Sequence, residues 1–460
     1  MNGRSRAWRR WPAWPTCGVL IAALSLTPAS GAAGQTFRCG AVPAPIPDND
    51  TTGVTLDCPV SGFATALGSV QVTLTLSPAH TFTGDLDADL APPGATPGTA
   101  GSFILFDAFD DFSILDAVMA GPYTLTDVAG TNFLTAASAS NGATIPAGVY
   151  RTAEADENVS TSLNEAFGGI PASAVNGTWR LRMRDLFEGD IGTISAASIT
   201  LAPPSIVAAV LPTSRSVRAP NGVASAFATI INNGAADATN CRISPRTSVP
   251  GAFVYQTTNV QNQLVGSPDT PATIAAGEAQ SFFFAFTPSD TFGPADVRIN
   301  FVCDQSAGAS VTGLTTLALV ASTTPVPDII ALAATVNNNG ILDIVGALGA
   351  PAAGNGVGAF AVATSNVGAG GAITVSADTG GASLPLVLTV CETGPSGCLK
   401  VPAPTITVQM AAGQTSTFSV FGQAMGAIPF DPANSRVFVR FKDNADVIRG
   451  STSTAVRTVP

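Results

Sequence analysis

From Asn176 to Asp185 the chain alternates with period two: Trp179, Leu181 and Met183 share one face, and Arg180, Arg182 and Arg184 the other. That pattern predicts a strand with one side on a core and one toward solvent. Asn176-Gly177 marks a turn before it, and Gly189 and Gly192 break the pattern after it. Val70-Gln-Val-Thr-Leu-Thr-Leu76 alternates in the same way. In the stretch after His80, Leu86, Ala88 and Leu90 read as inward and Asp85, Asp87 and Asp89 as outward, until Pro92-Pro-Gly94 ends the strand. A closing strand is expected over Ala197–Leu201. Trp179 lies outside the N-terminal stretch that holds Trp8, Trp11 and Trp14, and a large aromatic there is expected to anchor a core.

Composition extends the same reading to the whole chain. Val, Ile, Thr and Phe favour strands, 46 Gly and 34 Pro punctuate them, and charged residues make up only 11%. The expected fold class is all-β. Residues 1–34 read as a secretory signal, with Arg4, Arg6, Arg9 and Arg10 ahead of the short apolar run Cys17–Leu26 and small residues up to Gly34. That run is about half of the ~20 residues a membrane span needs, and no later run qualifies as a span. Arg9-Arg10 hints at twin-arginine export, although Trp11-Pro-Ala-Trp14 fits that signal poorly. The expected location is therefore secreted or cell-surface. A net charge of −11, with Lys400 and Lys442 the lysines, argues against nucleic acid or an anionic membrane as partner. No sorting tail or apolar helix is expected near Pro460.

Beyond the signal the cysteines fall two by two along the chain: Cys39 and Cys58, Cys241 and Cys303, Cys391 and Cys398. In an exported protein this argues for a disulfide within each of three segments. Six cysteines allow about 15 pairings, so free thiols or a bridge between segments stay open.

Several blocks of the first segment resemble one known family. Ile46-Pro-Asp48, the run Ser77-Pro-Ala-His-Thr-Phe-Thr-Gly-Asp-Leu-Asp-Ala-Asp-Leu-Ala-Pro-Pro-Gly94, and Asn176-Gly-Thr-Trp-Arg-Leu-Arg-Met-Arg-Asp185 with Gly189-Asp-Ile-Gly192 are similar to the P domain. This is the P/Homo B module of proprotein convertases and bacterial subtilisin-like proteases. The resemblance implies a jelly-roll-like β-sandwich over residues 35–202 that stabilises or regulates a serine endopeptidase. The closing strand departs from the family, carrying Ala196-Ala-Ser198 where a Trp is common.

The endopeptidase's own chemistry has no counterpart in the sequence. A subtilisin-like site draws Asp, His and Ser from separate motifs. The chain has one histidine, His80, and no Gly-Thr-Ser turn. His80 is expected to close a turn, and the chain is expected not to be an enzyme.

Two charged rows need partners. Asp85, Asp87 and Asp89 would sit ~6.7 Å apart along one strand face, as would Arg180, Arg182 and Arg184 along another. If the strands are neighbours, cross-strand ion pairs satisfy both rows. If they are not, Asp85, Asp87, Asp185 and Asp190, with Glu188 nearby, are the candidate metal ligands for Ca²⁺, which takes about six to eight oxygens. Asp107, Asp110, Asp111 and Asp116 form a further acidic loop, expected to be solvated. No other cofactor is expected.

Proline-rich joints, Pro203-Pro204 and Thr323-Thr-Pro-Val-Pro327, set off two further segments, 203–325 and 326–460. These are self-similar. Asn221-Gly-Val223 precedes Asn232-Asn-Gly234 by eleven residues, as Asn355-Gly-Val357 precedes Asn366-Val-Gly368. Ala275-Ala-Gly277 with Phe282 recurs as Ala411-Ala-Gly413 with Phe418, and Val297–Phe301 recurs as Val437–Phe441. The shifts of 134, 136 and 140 residues argue for tandem copies of one module. Each copy reads as an immunoglobulin-like sandwich of about seven strands, resembling repeats of bacterial surface proteins. The Asn-x-Gly positions are expected to serve hairpin turns. Arg436, Arg440, Lys442 and Arg449 are expected to make a mild basic edge.

Three functional readings follow: a non-catalytic secreted or surface binding protein, an accessory of a separately encoded subtilisin-like protease, or a Ca²⁺-stabilised adhesin or glycan binder. The partner in each is an extracellular protein or glycan.

Overall fold

Strand-forming residues and frequent Gly and Pro give the chain short strands joined by turns, and the computed structural model shows an all-β protein of packed β-sheets with a few short helices. The structure describes residues 34–108, 116–154, 160–220, 222–345 and 356–459. Residues 1–33 of the expected signal 1–34, with Asp110, Asp111, Asn221 and Asn355, lie outside the described residues. The buried apolar side chains form three separate clusters, spanning Cys39–Leu201, Ile206–Ala321 and Ile329–Val456.

In the first body a six-stranded sheet centred on Thr193–Ala202 and Ser69–Leu76 is accompanied by a four-stranded one, ordered Asp50–Val60, Gly177–Asp185, Leu86–Ala91, Phe103–Asp107. Period two decides which side chains meet in the middle. Val70, Val72, Leu74 and Leu76 come from one sheet; Trp179, Leu181 and Met183 come from the other, all fully buried. The Trp179 ring stands edge-on to Phe167 at 5.2 Å, and its Nε1–H donates to the Val175 carbonyl at 3.0 Å. Three short helices, Phe133–Ala139, Leu163–Phe167 and Ala172–Val175, were not expected from an all-β pattern. Ser162-Leu-Asn-Glu165 carried the signal for one of them. Ser162 Oγ accepts the Glu165 N–H, as in a capping box.

The second and third bodies share one topology. Ile206–Leu211 pairs antiparallel with Ala224–Asn232, and Ser214–Arg218 runs parallel to Thr316–Ser322. Their counterparts Ile329–Thr335 and Ile341–Val345 do the same with Val357–Asn366 and Ile448–Val459. In the third body Val345 also pairs with Val357, which joins its two halves into one ten-stranded sheet.

The repeated sequence pairs meet as a latch, which corrects the hairpin expectation. Asn232 and Asn366 end strands whose next strand lies in a different part of the sandwich, and both side chains are buried. Asn232 Nδ2 donates to the Ala236 and Ile274 carbonyls at 2.8 and 3.0 Å, while its Oδ1 accepts the Gly234 N–H. Asn366 Nδ2 donates to the Ala369 and Ala411 carbonyls at 2.8 and 3.1 Å, and its Oδ1 accepts the Gly368 N–H. In both copies the Gly of the Ala-Ala-Gly turn donates to the Asn carbonyl. A buried amide needs several partners, and each turn supplies them.

The basic edge is corrected too. Arg436–Lys442 lies between Gly371–Asp378 and Ile448–Val459 and is not an edge. Arg440 pairs with Asp378, Lys442 with Asp446 and Arg449 with Asp443, while Arg436 donates to Ser453 Oγ and the Pro432 carbonyl.

Disulfides join Cys39 to Cys58, Cys241 to Cys303 and Cys391 to Cys398. The second closes a 62-residue loop. Loop closure of that length contributes about 4 kcal/mol by restricting the unfolded chain. The double variant Cys241→Ser/Cys303→Ser should lower the second body's unfolding free energy by roughly that amount in urea titrations. A loss under about 1 kcal/mol would contradict it.

Acidic residues bind the bodies together, Glu165 of the first pairing with Arg242 of the second at 3.0 Å. Asp304 of the second body accepts from Arg151 Nη2 of the first at 2.7 Å, and its carbonyl accepts from Asn164 Nδ2 at 3.1 Å. Asp328 of the third body accepts from Arg215 Nη2 of the second at 2.9 Å and from the Ser216 N–H at 2.9 Å.

Candidate functional site

Between residue 46 and residue 192 the chain brings Asp48, His80, Asp185 and Gly192 together at one end of the first body, while Pro93 packs beside Gly177 at the other. His80 enters on an isolated bridge with Met119, their backbone groups exchanging bonds of 2.9 and 2.8 Å. Thr83–Asp85 makes a single 3₁₀ turn, so Asp85 precedes the strand and does not share its face. The neighbouring strand delivers Asp185 at its end, and the returning chain brings Gly192 against His80. A Cβ on Gly192 would lie 2.8 Å from His80 Cβ, so only glycine allows this approach. The Gly192 carbonyl then accepts the Ile46 N–H at 3.0 Å, and the Gly189 N–H donates to Asp48 at 3.1 Å.

At the centre, His80 Nε2 and Asp185 Oδ2 lie 3.0 Å apart, both side chains fully buried. His80 Nδ1 accepts the Phe82 N–H at 3.4 Å, so the donor on this ring is Nε2–H, directed at Asp185. Both ring nitrogens are therefore engaged inside the fold. A general base for a serine hydroxyl needs one nitrogen free to face it, and neither is. The pair ties the two sheet-end loops together.

Asp85 is buried beside this pair. Loss of hydration, then the negative field of Asp185, pushes its carboxyl up to about 6, against the opposing effect of His80; Asp190 and Asp48 add to the rise. Asp185 is raised by burial, against its hydrogen bond from His80. Folded Asp85 thus keeps its proton up to about pH 6, whereas the unfolded chain releases it near the ordinary 3.8. Between those values the folded state holds the extra proton, so its stability falls as pH rises and levels off above about 6. Asp85→Asn should remove this loss. Its melting point relative to wild type should climb between pH 4 and pH 7, equivalent to about 1–3 kcal/mol. An offset that stays constant over that range would contradict the assignment.

The charged rows settle into a ladder. Leu86–Ala91 and Gly177–Asp185 are adjacent, with Asp87 opposite Arg184 and Asp89 opposite Arg182. Asp87 and Asp89 are buried, contrary to the solvent-facing expectation. Arg184 Nε donates to Asp87 at 2.8 Å and Nη2 to its other oxygen, while Arg182 Nε donates to Asp89 at 2.8 Å. The Gly98 N–H caps Asp89 from the following loop. Hydrogen bonding to Asp87 holds Arg184 above the usual guanidinium range, against burial. Arg180 turns instead to Asp57, on the strand at its other side, at 3.4 Å. Asp87 is thus committed to an arginine, Asp185 to His80 and Asp190 to the Thr81 hydroxyl. Among the described residues no group of three or more His, Cys, Asp or Glu side chains is placed to hold a metal ion. Among the described residues no helix is long and apolar enough to cross a membrane.

Sequence reasoning missed Asp127. Its carboxylate accepts from the Ser162 hydroxyl and from the Leu163 and Asn164 N–H groups, anchoring a short helix from a buried position. A lone acid in an irregular stretch gave no pattern to find it by.

No known family model matches the sequence, and no curated protein does. Some solved structures overlap it slightly. The secreted serine protease VesC from Vibrio cholerae is 10% identical, with 50% of this chain and 51% of that chain covered and a TM-score of 0.17. The chain thus spans about half of VesC. The CupB6 tip adhesin from Pseudomonas aeruginosa is 9% identical, with 52% and 90% covered and a TM-score of 0.17. CfaE, the adhesive subunit of CFA/I fimbria of enterotoxigenic Escherichia coli, is 8% identical, with 55% and 87% covered and a TM-score of 0.18. Overlaps this slight carry no argument about function.

Proposed function

We propose that this is an exported binding protein whose first body is a P-domain-like accessory of a separately encoded subtilisin-like serine protease. It acts by contact and carries out no hydrolysis. One observation supports this best: the P-domain-like blocks around His80, Asp185 and Gly192 converge on a single buried knot, with Asp48 bonded to Gly189 at its exposed rim. Those blocks are spent on holding one face of the body in shape, which suits a module that braces a neighbour. Affinity capture from culture supernatant with the full chain should return a serine protease of that class. Capture that returns none, under conditions where the secreted proteases are intact, would overturn the reading.

A second reading is a free-standing adhesin, favoured by the outer face of the second body. There Val207, Leu211, Phe227, Ile231 and Val254 are each 36–46% exposed, on a face without a charged residue. Phe227 and Phe283 stack edge-to-face across it at 5.7 Å. Apolar exposure of this extent marks contact surfaces. Phe227→Asp should reduce retention on cells or matrix, and unchanged retention would remove this reading. A Ca²⁺ requirement would have to draw on Asp85, because Asp87, Asp185 and Asp190 are already held by Arg184, His80 and Thr81. A melting transition that chelator leaves unmoved would dismiss that requirement, because a bound ion raises stability by mass action.

A further inference from the structure

The two tandem copies treat one sheet edge differently. In the second body the terminal strand Ala272–Ile274 has three residues, and its pairing with Ala238–Pro245 is broken by a register shift. Short, irregular edges resist pairing with other chains. In the third body the same position holds Thr405–Met410, six residues in regular register with Gly371–Ser376. It stands last in the ten-stranded sheet. Its sequence, Thr-Ile-Thr-Val-Gln-Met, has no charge and no proline.

Two other edges of these bodies are covered. Along Gly251–Thr257 the following loop folds back, with the Val265 and Asp269 N–H groups donating to the Thr257 and Tyr255 carbonyls. Along Leu386–Gly394 the disulfide hairpin and the Leu399 and Ala403 N–H groups do the same. Just before the uncovered strand, Leu399 and Val401 are 62% and 85% exposed.

We propose that Thr405–Met410 is a docking edge for a second copy of this chain, the two strands pairing antiparallel about a two-fold axis at Thr407. The strand is self-complementary in that register. Thr405 meets Gln409 and Thr407 meets its own copy on the exposed face, while Ile406 meets Val408 on the core-facing side. The burial pattern assigns those faces, with Thr405, Thr407 and Gln409 exposed and Ile406 and Val408 packed against the core. Aliphatic and Thr cross-strand pairs are favourable, and no like charges come together. A two-fold contact uses the same patch on both partners and closes without forming a fibre. This inference is independent of the protease-accessory reading, because it concerns the third body alone.

Light scattering coupled to size-exclusion chromatography on the mature full chain tests it. Wild type should shift from monomer to dimer as concentration rises. Thr407→Lys and Thr407→Asp each place a charge opposite its own copy at an exposed position, and each should weaken dimerisation by at least roughly tenfold. Both should melt as wild type does, and an equimolar mixture of the two should recover the dimer. A wild type that stays monomeric throughout overturns the proposal. So does a Thr407→Lys variant that dimerises as tightly as wild type.

Discussion

Trp179→Ala should be among the most destabilising single changes in the first body. The ring is fully buried against Phe167, and it donates to the Val175 carbonyl. Truncation would empty the centre of a two-sheet core and leave that carbonyl without its donor. Large-to-small changes at such sites cost about 3–5 kcal/mol, a major part of the ~5–15 kcal/mol that holds a domain folded. Calorimetry should show the first body's transition lowered by on the order of 10 °C, with the other transitions unmoved. A loss below about 1 kcal/mol would show that the core is not organised around this residue.

Asp328→Ala should have its effect between bodies. Its carboxylate holds both Nε and Nη2 of Arg215 and the Ser216 N–H, and the pair is largely shielded from water. Removing one partner of such a pair leaves a buried, uncompensated guanidinium, at about 3–5 kcal/mol. Arg449 Nη1, 3.3 Å from Ser216 Oγ, and the Thr213 hydroxyl on the Ser451 carbonyl would be left to hold the joint. The second and third bodies should then unfold in separate calorimetric steps, and protease should cut within 323–327 before either body unfolds. A single unchanged transition, with the joint still resistant, would contradict this.

The sequence made some of this legible and hid the rest for physical reasons. Period two placed Trp179, Leu181 and Met183 on one face, because side chains on a strand have only two directions. It could not say which strand lay alongside, so the pairing of Asp87 with Arg184 and Asp89 with Arg182 had to come from register. Asp85 followed the same alternation on paper. The Thr83–Asp85 turn removes it from the strand and turns it toward Asp185. The tandem offsets exposed the repeat, since both copies keep Asn232 and Asn366 at the same latch. Its mechanism was hidden, because an Asn followed by Gly reads as a turn whether its side chain faces water or is buried. Asp127, Asp304 and Asp328 gave no signal, since each acts on groups distant in sequence.

The measurement that bears most directly on the central claim is a turnover assay with the purified mature chain. The protein is incubated with casein and, separately, with a serine-reactive activity probe. Because both nitrogens of the one histidine are engaged within the fold, the expected result is no casein cleavage and no labelled serine. Hydrolysis that disappears with the probe, and again in His80→Gln, would contradict a protein that works by contact alone.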